Sequence, residues 1–226
     1  MINPVTLVTP VCNRGDLTES FLSQHWNRYQ NENLVFWTII DNGSTDHTRS
    51  VLDRWQQLMG YRLNVMRSHD NKGFSWACNR GAEGILRGWL IFVNNDVQLR
   101  GDYVSRITSA LEEDSHQLVG AQLLEHPTGW NTFGGETVSY LAGWCLGLKT
   151  SVFRELGGFD ERFSPADYED MDLSYKAQER GYALLGLELP IHHISEQTAI
   201  TVLPNRRQIT ERNRKLFAEK WGLPCD

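Results

Sequence analysis

The stretch Trp89-Leu-Ile-Phe-Val-Asn-Asn-Asp-Val-Gln-Leu99 sets two amides and a carboxylate directly after an apolar run. Asn94, Asn95 and Asp96 offer oxygen donors, and a carboxylate beside amide oxygens suits a hard divalent cation whose shell is completed by phosphates and water. Asn and Asp also favour the turn that ends a strand, so the triplet alone supports both readings equally. A second constellation, Asn71, Lys72, Gly73 and Asn79, opens a helix with a glycine, which brings backbone amides near an anion. Lys72 could neutralise phosphate there. For Gly73 alone, a strained helix start is the plainer account.

These groups need a scaffold. The Leu/Ile/Phe/Val run suits a central strand buried on both faces, and ligands collect at the carboxyl ends of such strands in open α/β sheets. Strand-like runs at Val5–Thr9, Leu34–Ile40, Arg62–Arg67 and 89–94 alternate with helical patterns after Arg14, from Asp46 to Leu58 and from Ser75 to Leu86. That alternation predicts a parallel sheet. The rhythm changes after a helix near Tyr103–Leu111 and a strand near Leu118–Leu124. Residues 126–147, rich in Gly, Trp and Thr, predict short mixed or antiparallel strands. Ser164-Pro-Ala-Asp167 reads as a helix entry that places Glu169 and Asp170 in the first turn, with Gly181 as the stop. One or two strands follow within Tyr182–Ile194, and Asn205–Trp221 closes as an amphipathic helix with Ile209, Leu216 and Phe217 inward.

A chain of 226 residues suffices for one large α/β domain, and a net charge of −6 argues against a nucleic-acid partner. Cys12, Cys78, Cys145 and Cys225 are scattered without metal-ligand spacing, which predicts free thiols and a cytoplasmic setting. No run approaches the roughly 20 apolar residues of a membrane-spanning helix, leaving at most peripheral membrane contact.

Taken together, Thr9-Pro-Val-Cys-Asn-Arg14, Asp41-Asn-Gly-Ser-Thr-Asp46, Asn71-Lys-Gly-Phe-Ser-Trp-Ala-Cys-Asn-Arg-Gly81 and Val93-Asn-Asn-Asp-Val97 resemble the family 2 glycosyltransferases of GT-A fold. Gly157-Gly-Phe-Asp-Glu161, Tyr168-Glu-Asp-Met-Asp-Leu173, His192-His193 and Lys220-Trp-Gly222 continue the resemblance in order. It is closest to bacterial enzymes that build surface polysaccharides. Asn94 departs from the first Asp that many members carry in an Asp-x-Asp motif.

The resemblance implies one GT-A domain over 1–226: a Rossmann-like, mostly parallel central sheet flanked by helices, with a smaller mixed part. Residues 1–98 would bind a nucleotide sugar (UDP-, dTDP- or GDP-linked) and 99–226 a saccharide or glycan acceptor. Asp41 would contact the base, accepting from an imide N–H of uracil or thymine or the matching edge of guanine, although an Asx turn is its bland alternative. Pro10, Asn13 and Arg14 would border the same pocket. Asp96, helped by Asn94 and Asn95, would hold Mn²⁺ or Mg²⁺ with His192, or with His193 if the register differs by one. Asp170 would be the general base of an inverting transfer, with Glu169 positioning the acceptor; acids at a helix start also simply favour its dipole, by about 0.3–1 kcal/mol. Asp172 would have that dipole role alone. Trp130, Trp144 and Gly143 fall on the acceptor side, and the arginines and lysines of the closing helix could approach the diphosphate or an anionic surface.

Competing readings are weaker. The Gly-rich, Arg-containing phosphate loop of a nucleotidyltransferase is missing after the first strand, as is the Gly-x-Gly-x-x-Gly of a dinucleotide-binding enzyme. A GT-A-like domain that binds nucleotide or sugar with weak or no turnover is the alternative that Asn94 keeps open.

Overall fold

Adjacent residues of the central strands belong to opposite cores. Leu7, Ile39 and Ile91 pack into one apolar cluster, while Val8, Ile40, Leu90 and Phe92 pack into a second. Side chains of a strand alternate between faces, so a continuous apolar run is what a sheet covered on both sides requires. The computed structural model describes residues 3–114, 117–194 and 205–224.

Four strands, β1 (Val5–Val11), β2 (Val35–Asn42), β3 (Leu63–Ser68) and β4 (Trp89–Val93), alternate with helices α1 (Gly15–Tyr29), α2 (Thr48–Met59) and α3 (Phe74–Ala82). After the short β5 (Val97–Leu99) and helix α4 (Tyr103–Glu113) come β6 (Gln117–Gly120), β7 (Leu123–Leu124), β8 (Thr132–Phe133), β9 (Glu136–Thr137), β10 (Tyr140–Leu141) and β11 (Cys145–Lys149). Helices α5 (Thr150–Glu155) and α6 (Glu169–Glu179), strands β12 (Ala183–Gly186) and β13 (Ile191–His193), and helix α7 (Arg206–Trp221) complete the order.

Seven strands form the main sheet in the order β12-β6-β11-β4-β1-β2-β3. β1 is parallel to β2 and β4, and β2 to β3, as the alternating pattern predicts; β12 is parallel to β6 in the half where that rhythm is absent from the sequence. β11 runs antiparallel between β4 and β6 and pairs Cys145 with Val93, which sets Gly143 and Trp144 beside Asn94 at the end of β4. A separate two-stranded ladder pairs His193 with Val97. No helix among the described residues is long and apolar enough to cross a membrane.

Local boundaries differ from the sequence reading, most of all in the second half of the chain. The strand expected over Leu118–Leu124 is broken at 121–122, because its second part pairs with β10 in another ladder. α5 is a helix the apolar pattern did not single out. The helix entry expected at Ser164–Asp167 is displaced: α6 starts at Glu169, after Asp167 and Tyr168 with φ of 72° and 75°. α7 packs inward through Phe217, as expected, and also through the amide of Asn213, whose Nδ2 donates to the carbonyls of Phe163, Ala166 and Asp167.

Candidate active site

At the carboxyl ends of β1, β2 and β4 lies a cavity of about 770 Å³. Pro10, Asn42, Asn71 and the Asn94–Asp96 turn line one side. Gly143, Trp144, Trp130, Glu169, Asp170 and His193 face it from the second half of the chain, with Arg206 and Arg207 at the start of α7. Tyr140 and Asp167 are lining residues to which the sequence reading gave no site role, whereas Arg206 and Arg207 belong to the closing-helix cations expected near a diphosphate; Asp167 accepts from Arg206 Nη2 at 3.0 Å and from Thr210 Oγ1 at 2.6 Å.

Asp96 is buried, and its Oδ1 lies 3.1 Å from His193 Nε2. Neither atom has a hydrogen-bond partner. An orphaned carboxylate oxygen and an orphaned imidazole nitrogen facing each other fit a divalent cation, since cis ligands of an octahedral ion at about 2.0–2.1 Å stand about 3 Å apart. The pair is also small enough to leave most of the shell to phosphates and water. His192, the residue expected in this position, is exposed, because neighbouring residues of β13 point to opposite faces. It is His193, the alternative kept open for a register shift of one, that the structure sets beside Asp96. Asn95 is turned away from the pair, its Nδ2 donating to Thr18 Oγ1 at 3.0 Å.

Across the cavity, Asp170 Oδ2 accepts from Gly143 N at 2.8 Å, and Oδ1 accepts from Met171 N at 2.8 Å. Burial pushes its pKa up to about 6, against the pull of those two amides. Glu169 is buried with Oε2 unpartnered, and burial followed by the charge of Asp170 holds its pKa well above the usual carboxylate range. The arrangement supplies one carboxylate able to accept a proton near neutrality and one carboxyl kept protonated beside it. Left-handed backbone at two non-glycine residues immediately before the pair is the kind of strain found at functional sites. Asp172 lies outside this group: it accepts from Lys220 Nζ at 2.6 Å and Trp221 Nε1 at 3.0 Å, so it anchors α7 rather than serving only the dipole of α6.

Several expected site residues have other work. Asn13 Oδ1 accepts from the amides of Thr45 and Asp46, tying the loop after β1 to the loop after β2. Arg14 makes a two-point pair with Asp16. Asp41 is buried at the end of β2, and its Oδ1 accepts from Ser44 N at 3.0 Å, closing the Asx turn. Asn71 Oδ1 accepts from Gly73 N and Asn42 Nδ2. Gly73, with φ of 92°, has no room for a side chain because Ser164 Oγ and the Pro165 backbone sit against it. Lys72 and Asn79 line a separate groove. Asn79 braces the chain at 159–161, exchanging hydrogen bonds with the Phe159 backbone and donating to Glu161 Oε1. That groove is bordered by Arg67, Ser68 and His69 at the end of β3, and neither Lys72 nor Asn79 lines the cavity.

Residues 6–163 match the model of glycosyl transferase family 2. An uncharacterized protein of Sinorhizobium fredii, y4gI, is 24% identical over 85% of this chain, which spans 24% of that protein. The mannosyltransferase PcManGT of Pyrobaculum calidifontis, solved with GDP-Man and Mn²⁺, superposes with a TM-score of 0.73 at 16% identity, covering 93% of this chain and 63% of that one. GalNAc-T7, solved with UDP, GalNAc and Mn²⁺, gives 0.70 at 16% identity over 85% of this chain and 44% of its own. TarS of S. aureus gives 0.63 at 15% identity over 94% and 39%. The chain thus spans about a quarter of its curated relative, and these structures share its fold, the GT-A arrangement. With the family model covering most of the chain, from β1 to the turn before α6, the protein belongs to glycosyl transferase family 2.

Proposed function

We propose that this glycosyltransferase moves a sugar from a nucleoside diphosphate to a hydroxyl of a saccharide or glycan, with inversion at the anomeric carbon. The observation that carries the reading is the meeting, in one cavity, of the orphaned Asp96–His193 pair and the raised-pKa Asp170. The first half, 1–98, would hold the donor and the second, 99–226, the acceptor. Neighbouring folds solved with GDP-Man or UDP and Mn²⁺ support this donor class.

In this mechanism Asp96 and His193 would hold a divalent cation, Mn²⁺ or Mg²⁺, whose charge would offset that of the departing diphosphate. Asp170 takes the proton of the acceptor hydroxyl as that oxygen bonds to the anomeric carbon. The bond from that carbon to the diphosphate oxygen breaks, and its electron pair leaves with the diphosphate. Glu169, kept protonated, orients the acceptor as a hydrogen-bond donor.

The test is release of nucleoside diphosphate from UDP-, dTDP- and GDP-sugars with Mn²⁺, with and without a glycan acceptor. Acceptor-dependent release with an inverted product is expected. Binding without any release, or a product of retained configuration, would overturn the proposal.

A further inference from the structure

Metal-binding histidines are ordinarily oriented by a hydrogen bond from the second ring nitrogen to a carboxylate, carbonyl or water. His193 has no hydrogen bond at either ring nitrogen among the described residues. It sits instead on a three-residue strand and stacks flat on Trp144, with ring centroids 4.7 Å apart and planes 5° from parallel. A backbone ladder fixes where His193 starts but not how its ring is turned. The indole supplies that constraint.

Trp144 is itself held on several sides. Its Nε1 donates to Gln122 Oε1 at 3.3 Å, and its carbonyl accepts from Asn94 N at 3.0 Å, so it is tied to the turn that carries Asp96. Cys145 then pairs with Val93 in the sheet. One residue thereby links both halves of the cation pair: its backbone fixes the end of β4, and its ring fixes the imidazole.

We infer that Trp144 is a positioning residue for the cation, holding His193 Nε2 toward Asp96 Oδ1 through the stacked indole. This rests on the metal reading of Asp96 and His193 given above. The indole face covered by imidazole is thereby closed to an acceptor sugar.

The experiment measures Mn²⁺ affinity of the whole protein by electron paramagnetic resonance of the free ion, without donor or acceptor. Asp96→Ala is the control for the metal reading and should abolish tight binding. Trp144→Leu removes the stack and should weaken Mn²⁺ at least tenfold, in the range of 10–100-fold typical for groups that orient a ligand. Trp144→Phe keeps a flat ring and should recover most of that loss, which a general packing defect would not allow. Gln122→Ala, at an exposed residue, releases only the indole N–H and should weaken Mn²⁺ in the same direction by a smaller factor, a readout that survives if the leucine variant does not fold. Unchanged Mn²⁺ affinity in both Trp144→Leu and Gln122→Ala, with Asp96→Ala still defective, overturns the role of Trp144 alone. Equal losses in Trp144→Phe and Trp144→Leu overturn it as well. If Asp96→Ala binds Mn²⁺ like the wild type, the metal reading itself fails.

Discussion

The amide of Gly143 donates to Asp170 Oδ2 at 2.8 Å, and the position of its missing side chain lies 3.1 Å from Asp170 Cβ. A residue next to the end of β4 thus sets the carboxylate at the start of α6. Gly143→Ala is expected to fold but to displace Asp170 by a few tenths of an ångström, and a displacement of about 1 Å at a reacting group can cost 10²-fold. Steady-state kinetics should show a lowered kcat with donor KM nearly unchanged; wild-type kcat would refute the contact's importance.

Asp170→Asn preserves shape while removing proton acceptance. Turnover should fall roughly 10²–10⁴-fold, with nucleotide affinity by calorimetry unaltered. A helix-dipole role predicts nearly intact turnover instead.

The raised pKa of Asp170, about 6, carries two pH effects of opposite consequence. Below pH 6 the carboxyl is protonated and cannot accept a proton, so kcat/KM should decline on the acid side with a midpoint near 6. For stability, the folded state binds the proton more tightly than the unfolded chain, so this group lowers stability as pH rises from about 4 to 6. The melting temperature of the wild type should therefore fall through this group as pH rises from about 4 to 6, a slope that Asp170→Asn lacks because its amide does not titrate. An unchanged slope in Asp170→Asn would contradict the assignment.

His193→Ala should remove the enhancement of nucleoside diphosphate binding by Mn²⁺, measured against EDTA, while His192→Ala leaves it intact. The two residues differ in the face of β13 they occupy, not in chemistry. An equal effect of both would show that the ladder's register does not decide the ligand.

Asn79→Ala tests a structural assignment. Losing the hydrogen bonds to the Phe159 backbone and Glu161 should destabilise the protein by about 1–3 kcal/mol, read as a lower melting temperature, with donor affinity unchanged. Weakened donor binding at full stability would return Asn79 to the site.

The sequence by itself determined the parallel half of the sheet, because Trp89–Val93 is apolar throughout, Val5–Val11 and Val35–Asn42 are largely so, and only a doubly covered strand buries both faces. It also placed Asp96 just after a strand and the Glu169–Asp170 pair at a helix start, the places from which they line the cavity. Tertiary structure decided the rest. Which histidine meets Asp96 depends on pairing between β13 and β5, and a shift of one residue exchanges the faces. Whether Asn79 reaches the cavity depends on which way α3 faces once its apolar side is buried. Gly73 tolerates no side chain because residues 164–165, distant in sequence, pack against it. Most of all, the raised pKa of Asp170 comes from the burial that folding imposes, opposed by the amides of Gly143 and Met171; the local sequence shows only acids at a helix start.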